Sequence, residues 1–568
     1  MIREEIRYVI GQALKHLSIP AGEVLLEHPA ELSHGDYSTN AALVYAKECK
    51  QKPRSLAEQI VRYIELQKLV GVDKIEIAGP GFINFYLSKE FFAEAVKGID
   101  GDFGKNKNLA GKKVMVEYTD PNPFKEFHIG HLMNNAVGES VARVFEFQGA
   151  KVLRACWQGD VGLHVAKAVW GMIKIKNQKS KIKIGEGDIK LLGEAYALGS
   201  QKYDSDEGAK KEIVELNKKI FERTDKTVNE LYDKGREVSL VHFEEIYKQL
   251  GTKFDYYFFE GKEGREGQPI VEQGLSNGVF EKSEGAVVFK GEKLGLHTRV
   301  FITSQGLPTY ETKELGLNKT KFEKEPDLDN SIIVTANEQS DYFKVVFAAM
   351  KEVLPKIAAK TKHIAHGLLR FASGKMSSRK GNVITGESLI EQVKMLVHEK
   401  IKERDMSEGE KEKVAEVVAI GAIKYSILRQ AIGGDIIFDF ERSISFEGDS
   451  GPYLQYASVR AKSVLAKAVA EKIQANTALP ESWATIVLEK LLYRFPEVVL
   501  RAGNEHEPHY ITTYLTELAG VFNGWYANEK IVNEKDQASP YKVALTQSFA
   551  TVMKNGLWLL GIAVPEKM

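Results

Sequence analysis

Apolar residues recur at Ile2, Ile6, Val9, Ile10, Ala13, Leu14 and Leu17, a spacing that predicts an opening helix with one buried face. Further on, "KIEIAGPGFINFYL" alternates Ile75, Ile77, Ile83, Phe85 and Leu87 around a Gly-Pro-Gly interruption, the pattern of a strand broken by a turn. Residues 1–105 are therefore expected to form a small α+β domain. The polar, glycine-bearing "GIDGDFGKNKNLAGKK" reads as the linker that closes it.

The pattern then changes. "VMVEYT" is a short apolar run, a loop passes through Pro121 and Pro123, and Leu132, Ala136, Val137, Val141, Val144 and Phe145 recur at helical spacing up to Gly149, before a second apolar run, "KVLRACW". Strand, loop, helix and strand in this order predict the parallel βαβ unit of a nucleotide-binding sheet. "SIIVTA" and "HIAHGLLRFA" are expected to return to that sheet, so residues 106–395 are expected to form a Rossmann-like parallel-sheet domain, the candidate catalytic domain, with a helical insertion near 175–260. In the insertion the run "IKIKNQKSKIKIGEGDIK" is rich in lysine, as expected either of a solvated face or of an RNA contact. From "EKVAEVVAIGAIKYSILRQAI" onward the periodicity is helical, with Val414, Val417, Val418, Ile423 and Ile427 on one face, and residues 396–568 are expected to form an all-α bundle.

Composition narrows the function. Lysine plus arginine and aspartate plus glutamate each total 78 over 568 residues, so net charge gives no sign of a polyanion partner and does not exclude one met by local patches. Cys49 and Cys156 are too few for a disulfide framework or a cysteine zinc site. Glu4 and Glu5 interrupt the first apolar stretch, unlike the apolar core of a signal peptide, and no apolar run approaches the ~20 residues that span a bilayer. A cytoplasmic protein with no membrane partner is expected.

Two motifs carry the candidate chemistry. In "PNPFKEFHIGHL", His128 and His131 stand three apart where a helix opens after a strand, and a helix amino end offers unpaired N–H groups and a positive dipole to a polyphosphate. Gly130 removes a side chain where a flat ring would approach the backbone. Two nearby histidines are by themselves more often ordinary surface or core residues, and with no HExxH pattern or third ligand in sight no metal site is expected. In "GKMSSRKGN", Lys375, Arg379 and Lys380 lie among serines and glycines, a cationic loop suited to closing on a phosphate.

The pair "HIGH" and "KMSSR" resembles the two signatures of class I aminoacyl-tRNA synthetases. Along nearly its whole length the chain resembles the arginyl-tRNA synthetases. "HGDYSTNAAL" and "AGPGFINFYL" are similar to that family's tRNA-elbow-binding N-terminal domain, and "PNPFKEFHIGHL" and "GLPTYETKELG" to its active site. "FEGDSGPYLQYASVRAKSVL" and "MKNGLWLLGIAVPEKM" are similar to its anticodon-binding helical domain. The resemblance implies a ligase that activates L-arginine with ATP and Mg2+, releasing pyrophosphate, and passes it to the terminal adenosine of tRNA-Arg. Activation is expected to depend on tRNA, with no permanently bound cofactor and a monomeric chain.

Residue by residue, the resemblance places ATP against His128, Gly130, His131, Gly367, Leu369, Lys375 and Ser377, and arginine against Asn122, Tyr310, Glu314 and Gln339. The roles in catalysis fall to Lys125, His128, His131 and Lys375. For tRNA it implies Phe82 and Asn84 at a D-loop base, and Tyr456, Trp525 and Met568 near the anticodon, although on spacing alone the aromatic residues fit a bundle core better. The chain departs from the family where Glu314 stands for the commoner aspartate, Asp120 for serine and His164 for glutamine. It departs again in the loop, where Ser378 stands for the second lysine of "KMSKS"; Lys125 is the expected replacement, the alternative being a lysine paired with Glu126 or solvent. Two other readings remain, a nucleotidyltransferase of the "HIGH" superfamily, whose chains are short, and a catalytically silent RNA-binding paralogue.

Overall fold

The computed structural model describes residues 2–20, 22–178, 189–371 and 385–568. They divide into two units. One comprises residues 1–103, 460–495 and 518–553, the other residues 104–459, 496–517 and 554–568.

In the first unit, β1 (Tyr37–Thr39), β2 (Val72–Ala78) and β3 (Phe82–Leu87) form an antiparallel sheet in the order β1-β3-β2. β2 and β3 are the hairpin expected around Gly79, Pro80 and Gly81, with Ala78 paired to Phe82. The helices Ile2–His16 and Pro53–Gln67 pack on the sheet through Ile6, Ile10, Leu14, Leu56, Ile60 and Ile64, all buried with Phe85 in one core. Within "HGDYSTNAAL" the residues have structural duties. Gly35 has φ +98° and lies so close to Phe85 that a Cβ would stand 2.8 Å from its carbonyl oxygen. The fully buried Asp36 accepts the Leu87 N–H at 2.8 Å and pairs with Lys490 at 3.2 Å.

In the second unit, β4 (Lys113–Glu117), β5 (Lys151–Gln158), β6 (Tyr256–Phe259), β10 (Asn330–Ala336) and β11 (Thr361–His366) make a five-stranded parallel sheet in the order β11-β10-β4-β5-β6. The order reverses between β4 and β10, and in such sheets ligands bind outside the carboxyl ends of the strands at this switch. β4 is buried along Val114–Glu117, because helices cover both faces of a parallel sheet. The short strands β7 (Glu281–Ser283), β8 (Ala286–Phe289) and β9 (Arg299–Ile302) form a separate antiparallel sheet.

Two expectations change. "HIAHGLLRFA" is not one strand: β11 ends at His366, and β12 (Leu369–Phe371) pairs instead with β13 (Ile436–Phe438). The break falls at Gly367, where a Cβ would stand 2.1 Å from the Gly434 carbonyl oxygen. The helix Glu408–Leu428 is buried nearly all round from Val418 to Leu428, with Val417 half-exposed, rather than along one apolar face. The helices Ile189–Ser205, Glu207–Glu222 and Lys226–Gln249 share a core with the helix Leu163–Gln178.

Candidate active site

β4 delivers the chain into a loop whose backbone is strained. Thr119, Asp120 and Phe124 have φ of +80°, +49° and +68°, and such a conformation is rare for a β-branched or bulky residue. Neighbours hold it in place. Asn135 Nδ2 donates to Thr119 Oγ1 at 3.0 Å and the Trp157 N–H to Asp120 Oδ1 at 2.7 Å. The loop ends at His128, the N-cap of the helix Ile129–Phe147, in extended conformation.

The two imidazoles stack with centroids 3.5 Å apart. The backbone N–H of His128 donates to His131 Nδ1 at 3.3 Å, so neutral His131 carries its proton on Nε2. Burial, then the neighbouring His128 and Lys125, hold His131 well below the usual histidine range. Although His128 is exposed, the walls around its ring and the Lys125 cation push it down to about 4. The ring against Gly130 is that of His128: a Cβ there would stand 2.9 Å from His128 Cε1.

Lys125 lies 5.3 Å from the centroid of Tyr196 rather than against Glu126. Its charge also contributes to lowering His164, which burial pushes to about 3 and whose Nε2 lies 2.8 Å from the Gly159 carbonyl oxygen. Lys125 thus acts electrostatically on His128, His131, His164 and Glu260 together.

Asn122 folds over Gly159, just beyond the end of β5, where a Cβ would stand 2.1 Å from Asn122 Oδ1 and 2.9 Å from Glu260 Oε1. Glu260 is the residue the sequence reading missed. It is buried at the start of the helix Glu260–Ser276, paired with Lys313 at 2.6 Å, and burial raises its pKa. Lys313 also lies 4.7 Å from the ring of Tyr310, whose backbone carbonyl accepts from Tyr342 Oη at 3.0 Å.

Glu314, on the helix Tyr310–Lys324, is fully buried. Asn318 Nδ2 donates to its Oε1 at 2.9 Å, while Oε2 has no hydrogen-bond partner. Burial, then the nearby Glu117, push its pKa up to about 8. Glu117 itself pairs with the buried Lys321. Gln339 is exposed on the short turn Asn337–Gln339 that follows β10.

Gly367 and Leu369 follow the end of β11, where His366 bonds Asn134 of the helix Ile129–Phe147. Lys375, Ser377 and Ser378 lie outside the described residues. Both flanks are described: β12 ends at Phe371, and Thr385 bridges to His128 while the Gly386 N–H donates to the Phe127 carbonyl at 2.7 Å.

The residues expected at tRNA do not gather in one unit. Phe82 is 41% exposed, whereas Asn84 is buried and accepts the Ser38 hydroxyl at 2.7 Å. Trp525 is half-buried against the cluster of Val464, Ala468, Ile531, Val532 and Val543, as its spacing suggested. In the other unit Tyr456 meets Phe446 edge-on at 6.4 Å, and the terminal Met568 is half-buried. Among the described residues no three histidine, cysteine or acidic side chains group as a metal site, and no helix is long and apolar enough to cross a membrane.

The family profile described as "tRNA synthetases class I (R), catalytic domain" matches residues 99–440, "DALR anticodon binding domain" residues 454–568, and "Arginyl tRNA synthetase N terminal domain" residues 4–87. An arginine–tRNA ligase of Fusobacterium nucleatum is 31% identical over 547 residues, covering 94% of this chain and 93% of its own. One from Clostridium acetobutylicum is 31% identical over 573 residues, covering 100% and 99%. The fold is similar to that of Thermus thermophilus arginyl-tRNA synthetase, with TM-score 0.79 and 24% identity over 100% of both chains.

Proposed function

The chain belongs to the class I arginyl-tRNA synthetase family, and we infer from this premise that it joins L-arginine to tRNA-Arg through an arginyl adenylate. An oxygen of the arginine α-carboxylate attacks the α-phosphorus of ATP, pyrophosphate leaves, and a ribose hydroxyl of the terminal adenosine then takes the arginyl group and releases AMP. Neither step needs a covalent bond to the protein, so the chain's task is to position the reactants and stabilise charge.

The observation that carries this reading is the neutral, fixed His131. With Nδ1 occupied by the His128 N–H, its Nε2–H is a donor at the amino end of the helix Ile129–Phe147, beside the exposed ring of His128 and the Lys125 cation. Donors and a positive dipole converging there suit a triphosphate. Lys125 supplies the positive charge that the loop lacks at Ser378, and Lys375 and Ser377 close on the phosphates with it. Gly367 and Leu369 offer backbone to the adenine. Mg2+ accompanies ATP as its counter-ion and keeps water and phosphate ligands.

For arginine, the buried Oε2 of Glu314, without a partner, suits a guanidinium N–H, which a carboxylate holds through charge-assisted bonds. Glu260 adds a second buried carboxylate beside Asn122. Asn122 and Gln339 then face the α-amino and carboxyl groups, and Tyr310 flanks the guanidinium. Phe82 suits stacking on an unpaired D-loop base; Asn84 acts behind it by fixing Ser38. Tyr456, Trp525 and Met568 are assigned to the anticodon end. The chain works as a cytoplasmic monomer, and activation requires tRNA.

The test is ATP–pyrophosphate exchange across the standard amino acids with and without tRNA. Exchange driven by arginine in the presence of tRNA is expected; exchange driven by another amino acid would overturn the assignment.

A further inference from the structure

We propose that the insertion helix Lys226–Gln249 is a positioning element for adenylate formation, acting through a seat at Gly235 and Ser239 that holds Phe124 and thereby fixes the loop carrying Asn122, Lys125 and His128. The proposal rests on the reading of that loop given above.

Phe124 is a bulky residue at φ +68°, a conformation that persists only when the surroundings over-determine it. They do so from this helix. The Phe124 N–H donates to Ser239 Oγ at 2.9 Å, and Ser239 Oγ donates to the Gly235 carbonyl at 2.9 Å. The ring lies in the gap left by Gly235, where a Cβ would stand 2.2 Å from Phe124 Cε1, and it stacks on Tyr232 at 6.1 Å. Phe124 is fully buried in the core that the insertion shares with the helix Leu163–Gln178. One residue of the active-site loop is therefore a core residue of the insertion.

The same face of the helix also reaches residues that adjoin Gly159, Glu260 and Thr385. Residues 232, 235, 236 and 239 share it by spacing. Tyr232 Oη donates to Asp160 Oδ2 at 2.9 Å, and Arg236 Nε lies 3.1 Å from the same oxygen. Asp160 Oδ1 accepts the Gly261 N–H at 2.9 Å. Asp160 follows the Gly159 on which Asn122 lies, and Gly261 follows Glu260. Two turns on, His242 Nε2 is 3.0 Å from Glu387 Oε1, just beyond the Thr385 that bridges to His128. The gap at Gly235 and the hydroxyl of Ser239 together hold one ring and one backbone nitrogen of the same loop residue.

The experiment is single-turnover adenylate formation by the full-length chain with arginine, ATP and tRNA. Gly235→Ala is expected to slow it roughly 10- to 100-fold, the scale of a small misplacement of reacting groups, with the KM for tRNA unchanged. In a Phe124→Leu background, where no ring meets the new Cβ, Gly235→Ala is expected to slow it little further, a non-additive cycle. A wild-type rate for Gly235→Ala, or the same slowing in both backgrounds, would overturn the proposal. Should Gly235→Ala not fold, Ser239→Ala, which removes the bond to the Phe124 nitrogen, is read instead: slower adenylation is expected, and a wild-type rate overturns the seat. The wild type separates the two levels. No arginine-dependent adenylation at all removes the reading of the site, whereas an active wild type with an undisturbed Gly235→Ala removes only the seat.

Discussion

The backbone N–H of His128 donates to Nδ1 of His131 across 3.3 Å. One histidine of the motif thereby fixes the tautomer of the other. Burial and the neighbouring Lys125 keep His131 neutral, so the ring proton sits on Nε2. Imidazole 15N NMR at pH 6 is expected to show His131 neutral with Nδ1 unprotonated, and an imidazolium signal would contradict the arrangement.

Lys125→Ala is expected to slow adenylate formation by about 100-fold, the usual scale for losing one preorganised electrostatic contact, with a smaller change in ATP affinity. Because Lys125 helps hold His128 near 4, the same substitution should move the His128 titration upward. Ser378→Lys in the Lys125→Ala background should recover part of the rate. Single-turnover kinetics decides: a double variant no faster than Lys125→Ala removes the compensation, and wild-type activity of Lys125→Ala leaves that lysine a surface charge.

Glu314 has its pKa pushed up to about 8 by burial and Glu117, so near neutral pH the free site holds a proton there. A guanidinium favours the carboxylate, so arginine binding should release that proton, and arginine affinity should rise with pH from 7 and flatten above about 8. Calorimetry with tRNA present, in buffers of different ionisation enthalpy, measures the release directly; none would contradict the assignment. Glu314→Gln should weaken arginine far more than ATP.

His164 titrates near 3 because burial disfavours its charged form. A cation whose pKa is lower in the folded than in the unfolded chain contributes stability that is present above the unfolded value, ~6.5, and is lost as pH falls toward the folded one. The unfolding midpoint should therefore drop as pH falls from 7 to 5, and His164→Gln should make that slope shallower. Thermal melts across the range test it, and an unchanged slope would show that other groups set the acid limb.

Much of this was legible along the chain, and what was not has definite causes. The strand–loop–helix–strand run around His128 and the Gly-Pro-Gly hairpin are local patterns, and local periodicity specifies them. Glu260 was missed because "FFEGKEG" reads as a polar surface run; only the parallel pairing of β5 and β6 brings it to Asn122. Glu314 reads on spacing as a surface acid on a helix start, yet it is fully buried, because the helix Tyr310–Lys324 is enclosed along most of its length. Ile83, Phe85 and Leu87 take the core face of β3, so Asn84 shares the opposite face with the exposed Phe82 and is nonetheless buried, its amide oxygen accepting the Ser38 hydroxyl on the adjoining β1, a pairing that the sequence of β3 alone does not show. The break of "HIAHGLLRFA" at Gly367 follows from a contact with Gly434 that is remote in sequence.

The site is expected to activate arginine and no other standard amino acid, for transfer to tRNA. The most direct measurement is aminoacylation of tRNA by the full-length chain with ATP and each standard amino acid in turn, read as acid-stable charged tRNA. Charging with arginine alone, on tRNA-Arg, is expected. Charging with a different amino acid, or binding of tRNA with no charging by any of them, would contradict the assignment.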